Sequence, residues 1–357
     1  NASMSISELR QKIDAIDNQI LGLLSDRAKL AQEIGLGKTR TAGQFFAPDR
    51  EVQIFERLLA NNPGPFSGNA IKAIFREIIS ASRALEASMR IAYLGPEGTF
   101  SHRAARDKFG NSAEFIPVQT ISDVFAKVER GDAEYGVVPV ENSTEGIVPL
   151  TLDLFAQGKA RICAEVYVQV SHNLATKSDD ITSVKRLYAH PQASAQCRNW
   201  LRDNLQRIEI IETTSNARSA QLAADDLESA CITTDIAAEI HGLTVVAAHI
   251  EDSAHNRTRF LVIGENQPQP SGRDKTSIYF SVQHRAGALM RAMAALDAHD
   301  INLTLIESRP TKQLPWEYVF FLDFNGHIKE DRVRKALKHL EEQSMFVTVL
   351  GSYPEAH

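Results

Sequence analysis

The segment 6–34, ISELRQKIDAIDNQILGLLSDRAKLAQEI, decides how the first part of the chain folds. Its apolar residues recur every three or four positions, which predicts one long amphipathic helix. They are Ile6, Leu9, Ile13, Ile16, Ile20, Leu23, Leu30 and Ile34. Arg27 lies on this apolar stripe, and Lys38 lies one turn beyond its end. Because a buried cation is costly unless an anion meets it, the stripe predicts a helical pocket that receives an anion.

A second apolar stripe further along the chain has the same kind of interruption. It is formed by Ile71, Ile74, Phe75, Ile78 and Ile79. Continuing that stripe by threes and fours reaches Ser82 and then Glu86, which therefore face the same way. The alternative is that Arg27 and Lys38 extend into solvent along their stems and that the two later residues lie on a fraying helix end. Four polar residues on two stripes favour the pocket.

Composition places the chain among soluble, multidomain proteins. Its 357 residues are too many for one core and predict two or three domains. A net charge of −6 argues against a general nucleic-acid or membrane-surface role. No apolar run approaches the roughly 20 residues of a membrane span, and no segment resembles a secretory signal. Cys163, Cys197 and Cys231 are scattered and show no metal-binding spacing, so we expect reduced thiols, a cytoplasmic protein and no metal or cofactor.

The first domain is predicted to span residues 5–88 and to be all-helical. Ser5 and Glu8 have the spacing of a capping box, and Pro48 stands at a favoured position for opening a second helix. The first helix, running to about Arg40, would be roughly 50 Å long. Three helices of unequal length cannot cover so long an apolar stripe, so we expect the chain to dimerise through them.

Two further domains follow. In residues 90–265 short apolar strands alternate with helical stretches, which predicts an α/β domain with mostly parallel pairing. The segment 265–275 contains two prolines and a Ser-Gly pair and is predicted to be a linker. Residues 275–355 then show the order βαββαβ, which is typical of an α+β ferredoxin-like domain.

Two nucleotide-binding signals fail. Gly35 to Thr39 suggests a phosphate-binding loop, but the first glycine of that motif would fall at Gln32, and the segment ends a helix. No Gly-x-Gly-x-x-Gly motif follows a strand, which disfavours a nicotinamide dehydrogenase.

Four motifs carry a resemblance that covers nearly the whole chain. They are Gly95-Pro96-Glu97-Gly98-Thr99-Phe100-Ser101, Val138-Pro139-Val140-Glu141-Asn142-Ser143, Thr258-Arg259-Phe260 and Glu307-Ser308-Arg309-Pro310. The first domain resembles the all-helical chorismate mutase. The middle resembles prephenate dehydratase, whose fold is two-lobed and like that of periplasmic binding proteins, and the last resembles an ACT regulatory domain. Together they resemble the bifunctional chorismate mutase–prephenate dehydratase family, which implies chorismate and prephenate as substrates and phenylalanine as effector.

The resemblance implies a set of residues for the mutase site. They are Arg27, Lys38, Arg50, Glu51, Ser82 and Glu86 from one subunit, with Arg10 reaching in from the partner. The rearrangement of chorismate to prephenate is pericyclic and needs no cofactor, only a held conformer and donors to the breaking ether oxygen. Lys38 would be one donor. Glu86 would be the other, and since a carboxyl group donates only when protonated, we expect mutase activity to fall as pH rises.

A second set of residues is implied for the dehydratase site. They are Thr99, Ser101, Asn142, Ser143, Gln196, Thr258 and Arg259. The loop before Ser101 would open a helix N-terminus suited to a carboxylate. Thr258 is the candidate donor to the departing hydroxyl, Asn142 and Gln196 would orient prephenate, and Arg259 would bind a carboxylate. Without the resemblance, helix capping and ordinary strand ends would explain these residues equally well.

The resemblance also implies feedback control at the last domain. Gly287, Ala288 and Leu289, together with Glu307, Ser308 and Arg309, would bind phenylalanine at a subunit interface of a homodimer or a tetramer. Two alternatives stay open. One is a pure binding protein, which the missing signal and DNA-binding motif disfavour. The other is a monofunctional prephenate dehydratase whose helical domain serves only for dimerisation.

Overall fold

The first domain consists of three helices. The computed structural model describes residues 4–37, 46–178, 181–206, 208–310 and 318–356. Helices α1 (Ile6–Gly37), α2 (Pro48–Ala60) and α3 (Gly68–Glu86) form the all-helical part. The predicted capping box is confirmed, because the backbone N–H of Ser5 donates to Glu8 at 2.8 Å and that of Glu8 donates to Ser5 Oγ at 3.3 Å. Helix α1 packs along α3.

The middle domain has two lobes, each built on its own sheet. Its strands are β1 (Arg90–Leu94), β2 (Glu114–Val118), β3 (Tyr135–Asn142), β4 (Gly146–Ile147), β5 (Arg161–Gln169), β6 (Asn173–Thr176), β7 (Arg186–Ala189), β8 (Glu209–Glu212), β9 (Ser229–Thr233), β10 (Thr244–Ala247) and β11 (Arg257–Gly264). The first sheet has the order β2-β1-β3-β11-β5, with β4 beside β3. The second has the order β10-β6-β9-β7-β8. The chain therefore crosses between lobes twice, after β5 and after β10.

Helices cover both sheets of the middle domain. They are α4 (Phe100–Phe109), α5 (Ile121–Glu129), α6 (Pro149–Gln157), α7 (Pro191–Gln196), α8 (Arg198–Asn204), α9 (Asn216–Ala224) and α10 (Asp235–Ile240). The expectation of mostly parallel pairing is wrong. Strand β11 runs antiparallel to both β3 and β5, and β6 runs antiparallel to β9 and β10. The strands next to the two crossovers, β5, β6, β10 and β11, are therefore antiparallel to their neighbours.

The last domain confirms the predicted βαββαβ order. It comprises β12 (Asp274–Ser281), α11 (Ala288–Asp297), β13 (Leu303–Pro310), β14 (Tyr318–Asn325), α12 (Asp331–Gln343) and β15 (Phe346–Pro354). Its antiparallel sheet has the order β13-β14-β12-β15. None of the described helices is both long and apolar enough to cross a membrane.

Strand β15 joins the last domain to the middle one. It lies so close to β5 that a Cβ placed on Gly351 would come within 1.9 Å of the Ile162 carbonyl oxygen. A side chain at this position would therefore push the two domains apart, which is the physical reason for glycine there.

A cluster of buried charges, which we call the junction cluster, lies at the same contact. Arg259 donates to Glu165 at 2.7 Å, to Asp323 at 2.5 Å and to Tyr353 Oη at 3.0 Å, and Lys275 Nζ lies 3.0 Å from both Glu165 oxygens. All five residues are at most 4% exposed. Burial alone would lower the pKa of Arg259, but Tyr353, Asp323 and Glu165 raise it well above its usual value. Two cations thus meet two carboxylates across the junction.

Replacing Arg259 by Met should destabilise the protein by about 3–5 kcal/mol, because the change leaves the buried carboxylate of Asp323 without its cation and Glu165 with Lys275 alone. The loss is measured as a shift of the urea unfolding midpoint. Arg202→Met is the matched control, since Arg202 is exposed and its guanidinium contacts Asp203 and Asn199 at the surface. It should change stability by no more than about 0.5 kcal/mol. Equal midpoints for the two variants would contradict a structural role of the junction cluster.

Candidate active sites

The structure brings three of the predicted residues together between α1 and α3. Arg27 donates a hydrogen bond from Nη1 to Ser82 Oγ, and Ser82 in turn donates to the Ile78 carbonyl at 2.7 Å. Helix α1 approaches Glu86 so closely that a Cβ on Gly35 would lie 3.1 Å from the Glu86 Cβ. Burial lowers the pKa of Arg27, and the charge of Glu86 opposes that effect. A half-buried cation thus faces a hydroxyl and a carboxyl group across one helix pair.

The other described residues predicted for the helical site have different surroundings. Arg10 is exposed on α1, and Arg50 is exposed and donates to Gln53 at 3.1 Å. Lys38 lies outside the described residues. Glu51 stays a prediction for this site, and it has an ion-pair partner on α3. Its carboxylate pairs with Arg83 at 2.8 Å, and both side chains are nearly buried.

Sequence reasoning missed Arg83. It follows Ser82 directly on α3 and therefore projects from a different face of the helix. Its guanidinium lies 5.4 Å from the ring centroid of Phe46, which belongs to the core of the middle domain. The pattern around Arg83 carries no signal for this contact, because it depends on how α3 docks on the neighbouring domain.

A cavity of about 470 Å³ separates the two lobes of the middle domain. The predicted residues on its wall are Thr99, Ser101, Asn142, Gln196 and Thr258. The N-termini of two helices open into it, one from each lobe: Thr99 caps α4 through the amide of His102, and Ser215 caps α9 through the amide of Arg218. None of the described residues that line this cavity is Lys or Arg. Helix amides and neutral donors are therefore the groups available to an anion here.

Asn142 is held so that it orients Thr258. Its side-chain oxygen accepts the backbone amides of Thr144 and Glu145 at 2.9 and 3.0 Å. This fixes the direction of the amide, whose Nδ2 donates to Asn256 Oδ1 and to Thr258 Oγ1, both at 2.9 Å. Because Thr258 Oγ1 is an acceptor for Asn142, its own proton is directed elsewhere. The expectation that Asn142 orients the ligand directly is corrected: all its hydrogen-bonding groups are engaged within the protein.

Two predicted residues of this site lie away from the cavity wall. Arg259 belongs to the junction cluster and is 3% exposed, so the prediction that it binds a carboxylate in the cavity is wrong. Successive residues of a strand point to opposite faces, and Thr258 takes the cavity side. Ser143 accepts the Arg257 amide at 2.9 Å and lies 3.3 Å from the His255 carbonyl, which ties β3 to the end of the second crossover.

Two residues of the cavity wall were missed by sequence reasoning. Asn256 receives the amide of Asn142. His172 is 2% exposed, and its Nε2 lies 2.7 Å from Gln196 Oε1. Burial lowers the pKa of His172, so its ring is neutral near pH 7. Both residues lie on the crossover segments, and no periodicity in the sequence indicates where crossovers lead.

A second cavity, of about 360 Å³, lies in the last domain at the start of α11. Ala288 and Leu289 line it, and Gly287 precedes them with a φ of +73°. Glu307, Ser308 and Arg309 lie on β13, whose Ser308 pairs opposite the lining residue Phe320, but they do not line the cavity within one chain. Arg309 instead makes a double contact with Asp153 of α6, at 3.0 and 3.1 Å.

Comparison with known proteins supports each part of this architecture. The sequence model of chorismate mutase type II matches residues 9–87, that of prephenate dehydratase matches residues 91–268, and that of the ACT domain matches residues 276–342. A relative from Aquifex aeolicus, a bifunctional chorismate mutase/prephenate dehydratase, is 46% identical over 355 residues and covers 98% of both chains.

Two solved structures resemble the middle and last domains. One is a prephenate dehydratase from Arthrobacter aurescens in complex with L-Phe. It is 34% identical with a TM-score of 0.68 and covers 75% of this chain and 90% of that one. The other is GqqA, described as a novel type of quorum quenching acylase. It is 27% identical with a TM-score of 0.69 and covers 75% of this chain and 98% of that one.

Proposed function

The chain belongs to the family of bifunctional chorismate mutase/prephenate dehydratases, and we propose how its three parts perform and regulate the two reactions. The enzyme rearranges chorismate to prephenate and converts prephenate to phenylpyruvate, two steps of aromatic amino acid biosynthesis. Our division places the mutase in residues 5–88, the dehydratase in 90–265 and the regulatory domain in 275–355. The family matches at 9–87, 91–268 and 276–342 support these bounds.

The mutase site is proposed to lie where Arg27, Ser82 and Glu86 meet. Chorismate carries two carboxylates, and its rearrangement needs no nucleophile, so the site has to hold the folded conformer and stabilise charge on the ether oxygen. Arg27 is half-buried and its guanidinium lies between α1 and α3 beside Ser82, which suits it to a carboxylate. Lys38 and Glu86 remain the proposed donors to the ether oxygen.

This site is proposed to be completed by a second copy of the chain. The eight apolar residues of the α1 stripe are between 43% and 71% exposed in the single chain, a long apolar surface that α3 alone does not cover. A second α1 packed along it would bury this stripe. Arg10, exposed near the start of α1, would then reach the partner's pocket.

Subunit mixing tests the shared mutase site. Arg10→Ala and Arg27→Ala should each lose mutase activity, because each removes a carboxylate-binding guanidinium. When both are co-expressed, random pairing makes half of the dimers mixed, and each mixed dimer keeps one intact site, so about a quarter of the wild-type activity should return. The rate of chorismate disappearance measures it. No recovery on mixing would contradict the shared site, and full mutase activity in both single variants would remove Arg10 and Arg27 from it.

The dehydratase site is proposed to be the cavity between the lobes. Prephenate loses carbon dioxide and its ring hydroxyl, the electron pair released by decarboxylation makes the ring aromatic, and the hydroxyl takes up one proton to leave as water. The observation that carries this proposal is the hydrogen bond from Asn142 to Thr258 Oγ1, which leaves the threonine proton to donate to the departing hydroxyl. The N-termini of α4 and α9 are suited to the two carboxylates of prephenate.

Thr258→Val keeps the shape of the side chain but removes the donor. Dehydratase kcat should fall by about 100-fold or more, while mutase activity in the same preparation stays unchanged. Formation of phenylpyruvate from added prephenate measures the first, and chorismate disappearance the second. Thr258→Ser, which retains the hydroxyl, is the matched control and should keep most of the activity. Dehydratase activity near that of the wild type in the valine variant would remove Thr258 from the mechanism.

Feedback control is proposed to act through the cavity at the start of α11. The prephenate dehydratase structure from Arthrobacter aurescens holds L-Phe, and the same two domains are matched here. The lining by Leu289, Tyr318 and Phe320 suits an aromatic side chain. Glu307, Ser308 and Arg309 lie on the strand beside this cavity but do not line it within one chain. We therefore propose that these residues contact phenylalanine bound to the partner subunit.

Calorimetry with phenylalanine tests this regulatory site. The wild type should bind it, and saturation should lower dehydratase activity. Gly287→Val should abolish binding and inhibition, because valine at a φ of +73° is strained and its Cβ would lie 2.9 Å from Arg291 Nη1, so the backbone before the lining residue Ala288 has to shift. Gly272→Val is the matched control, since Gly272 also has positive φ but meets nothing within 4 Å, and it should leave binding intact. No binding by the wild type would refute regulation by phenylalanine.

A further inference from the structure

His172 lies in the first crossover between the lobes, between β5 and β6. Its backbone is fixed to the second crossover, because its amide donates to the Glu251 carboxylate at 2.8 Å and its carbonyl accepts the Ile250 amide at 2.9 Å. The two crossovers are therefore held side by side at this residue. The imidazole is placed by the segment that connects the lobes, while its hydrogen-bond partner, Gln196, ends α7 in the second lobe.

The two ring nitrogens of His172 have different surroundings. Nε2 lies 2.7 Å from Gln196 Oε1. Nδ1 is buried and has no hydrogen-bond partner among the described residues. An amide oxygen can only accept, so the proton of the neutral ring is on Nε2 and Nδ1 carries the lone pair. The opposite arrangement would bury an unpaired N–H at Nδ1, and a buried donor without an acceptor is costly.

This arrangement fixes the side-chain amide of Gln196. Its oxygen is turned towards His172, so its NH₂ group is turned away from the imidazole, and no described residue accepts a hydrogen bond from it. The backbone carbonyl of Gln196 is held as well, by the amide of Asp252 at 2.7 Å. Gln196 lines the cavity and is half-buried, so the NH₂ group is available to a ligand there.

We propose that His172 is a positioning residue for the dehydratase reaction, which orients the amide of Gln196 so that its NH₂ group donates to an oxygen of bound prephenate. The inference rests on the proposal that the cavity between the lobes is the dehydratase site. Prephenate presents carboxylate and ketone oxygens, which are acceptors only. A reversed amide would turn an acceptor towards them, and the hydrogen bond would become a repulsion.

His172 acts through Gln196 and does not itself contact the reacting atoms. Its one nitrogen without a partner is buried, and the other is engaged with the amide. Burial lowers the pKa of His172, the hydrogen bond to Gln196 and the charge of Glu251 oppose this, and His190 adds to it. The neutral ring of His172 has one N–H donor, at Nε2, and this donor requires that the oxygen of the Gln196 side-chain amide points towards the imidazole.

A double-mutant cycle on the full-length protein tests this role. His172→Phe keeps a planar ring but removes the donor, so dehydratase kcat/KM should fall about 10- to 100-fold, mainly through KM. His172→Gln, whose Nε2 can donate from a similar place, should recover most of the loss. In a Gln196→Ala background His172→Phe should cost less than about 2-fold, because the group that it positions is already absent. An equal loss in both backgrounds, or no recovery with glutamine, would overturn the proposal.

Two further measurements keep the test decisive. Thermal unfolding of the same preparations, followed by circular dichroism, reports whether the variants fold. Should His172→Phe fail to fold, nitrogen NMR of the wild type at pH 7 decides instead: a proton on Nε2 supports the proposal, and a proton on Nδ1 overturns it. Thr258→Val separates this inference from the proposed function. Unchanged dehydratase activity in that variant would remove Thr258 from the mechanism and with it the observation that carries the proposed function. Loss of activity in Thr258→Val, together with an equal effect of His172→Phe with and without Gln196, would refute only the positioning role.

Discussion

The contact between Arg259 and its two carboxylates, Glu165 and Asp323, is the constraint on which the middle and last domains depend. Charges removed from water are tolerated only when they are paired, so β5, β11 and β14 have to keep their relative positions. Strand β11 also carries Thr258, whose side chain points to the opposite face, into the cavity between the lobes. Strand β11 therefore places the hydroxyl of Thr258 in the cavity between the lobes and the guanidinium of Arg259 in the junction cluster.

The helical domain is tied to the rest of the chain in a different way. Phe46, just before α2, is 1% exposed in the core of the middle domain, where its ring lies 4.8 Å from that of Phe109 and 5.2 Å from that of Tyr135. Its carbonyl accepts the side-chain amide of Asn266, which follows β11. The opposite side of the helical domain, the apolar stripe of α1, faces solvent in the single chain. The helical domain is thus attached to the middle domain and still exposes the apolar stripe of α1, as expected if a second subunit packs against this stripe.

Sequence patterns predicted the helices and strands better than the contacts between them. The three- and four-residue spacing gave α1 and α3, and the βαββαβ order of the last domain was also correct, because both depend on local periodicity. Arg259 was misplaced although the rule needed was available: adjacent strand residues point to opposite faces, so Thr258 and Arg259 could not both face one cavity. The pairing of Glu51 with Arg83 depends on how α2 packs on α3, and the antiparallel entry of β11 depends on how the two lobes are connected. Neither follows from local periodicity.

The roles of the polar residues in the cavity follow from which hydrogen-bonding groups are left over. Asn142 uses every donor and acceptor of its amide within the protein, so it can orient Thr258 but has nothing to offer a ligand. Thr258 keeps its proton and Gln196 keeps its NH₂ group, and these are the groups that a substrate rich in oxygen acceptors can use. Residue type alone does not distinguish Asn142 from Gln196, because both are amides on the wall of one cavity. The distinction arises from their neighbours: two backbone amides fix the first, and the single donor of His172 fixes the second.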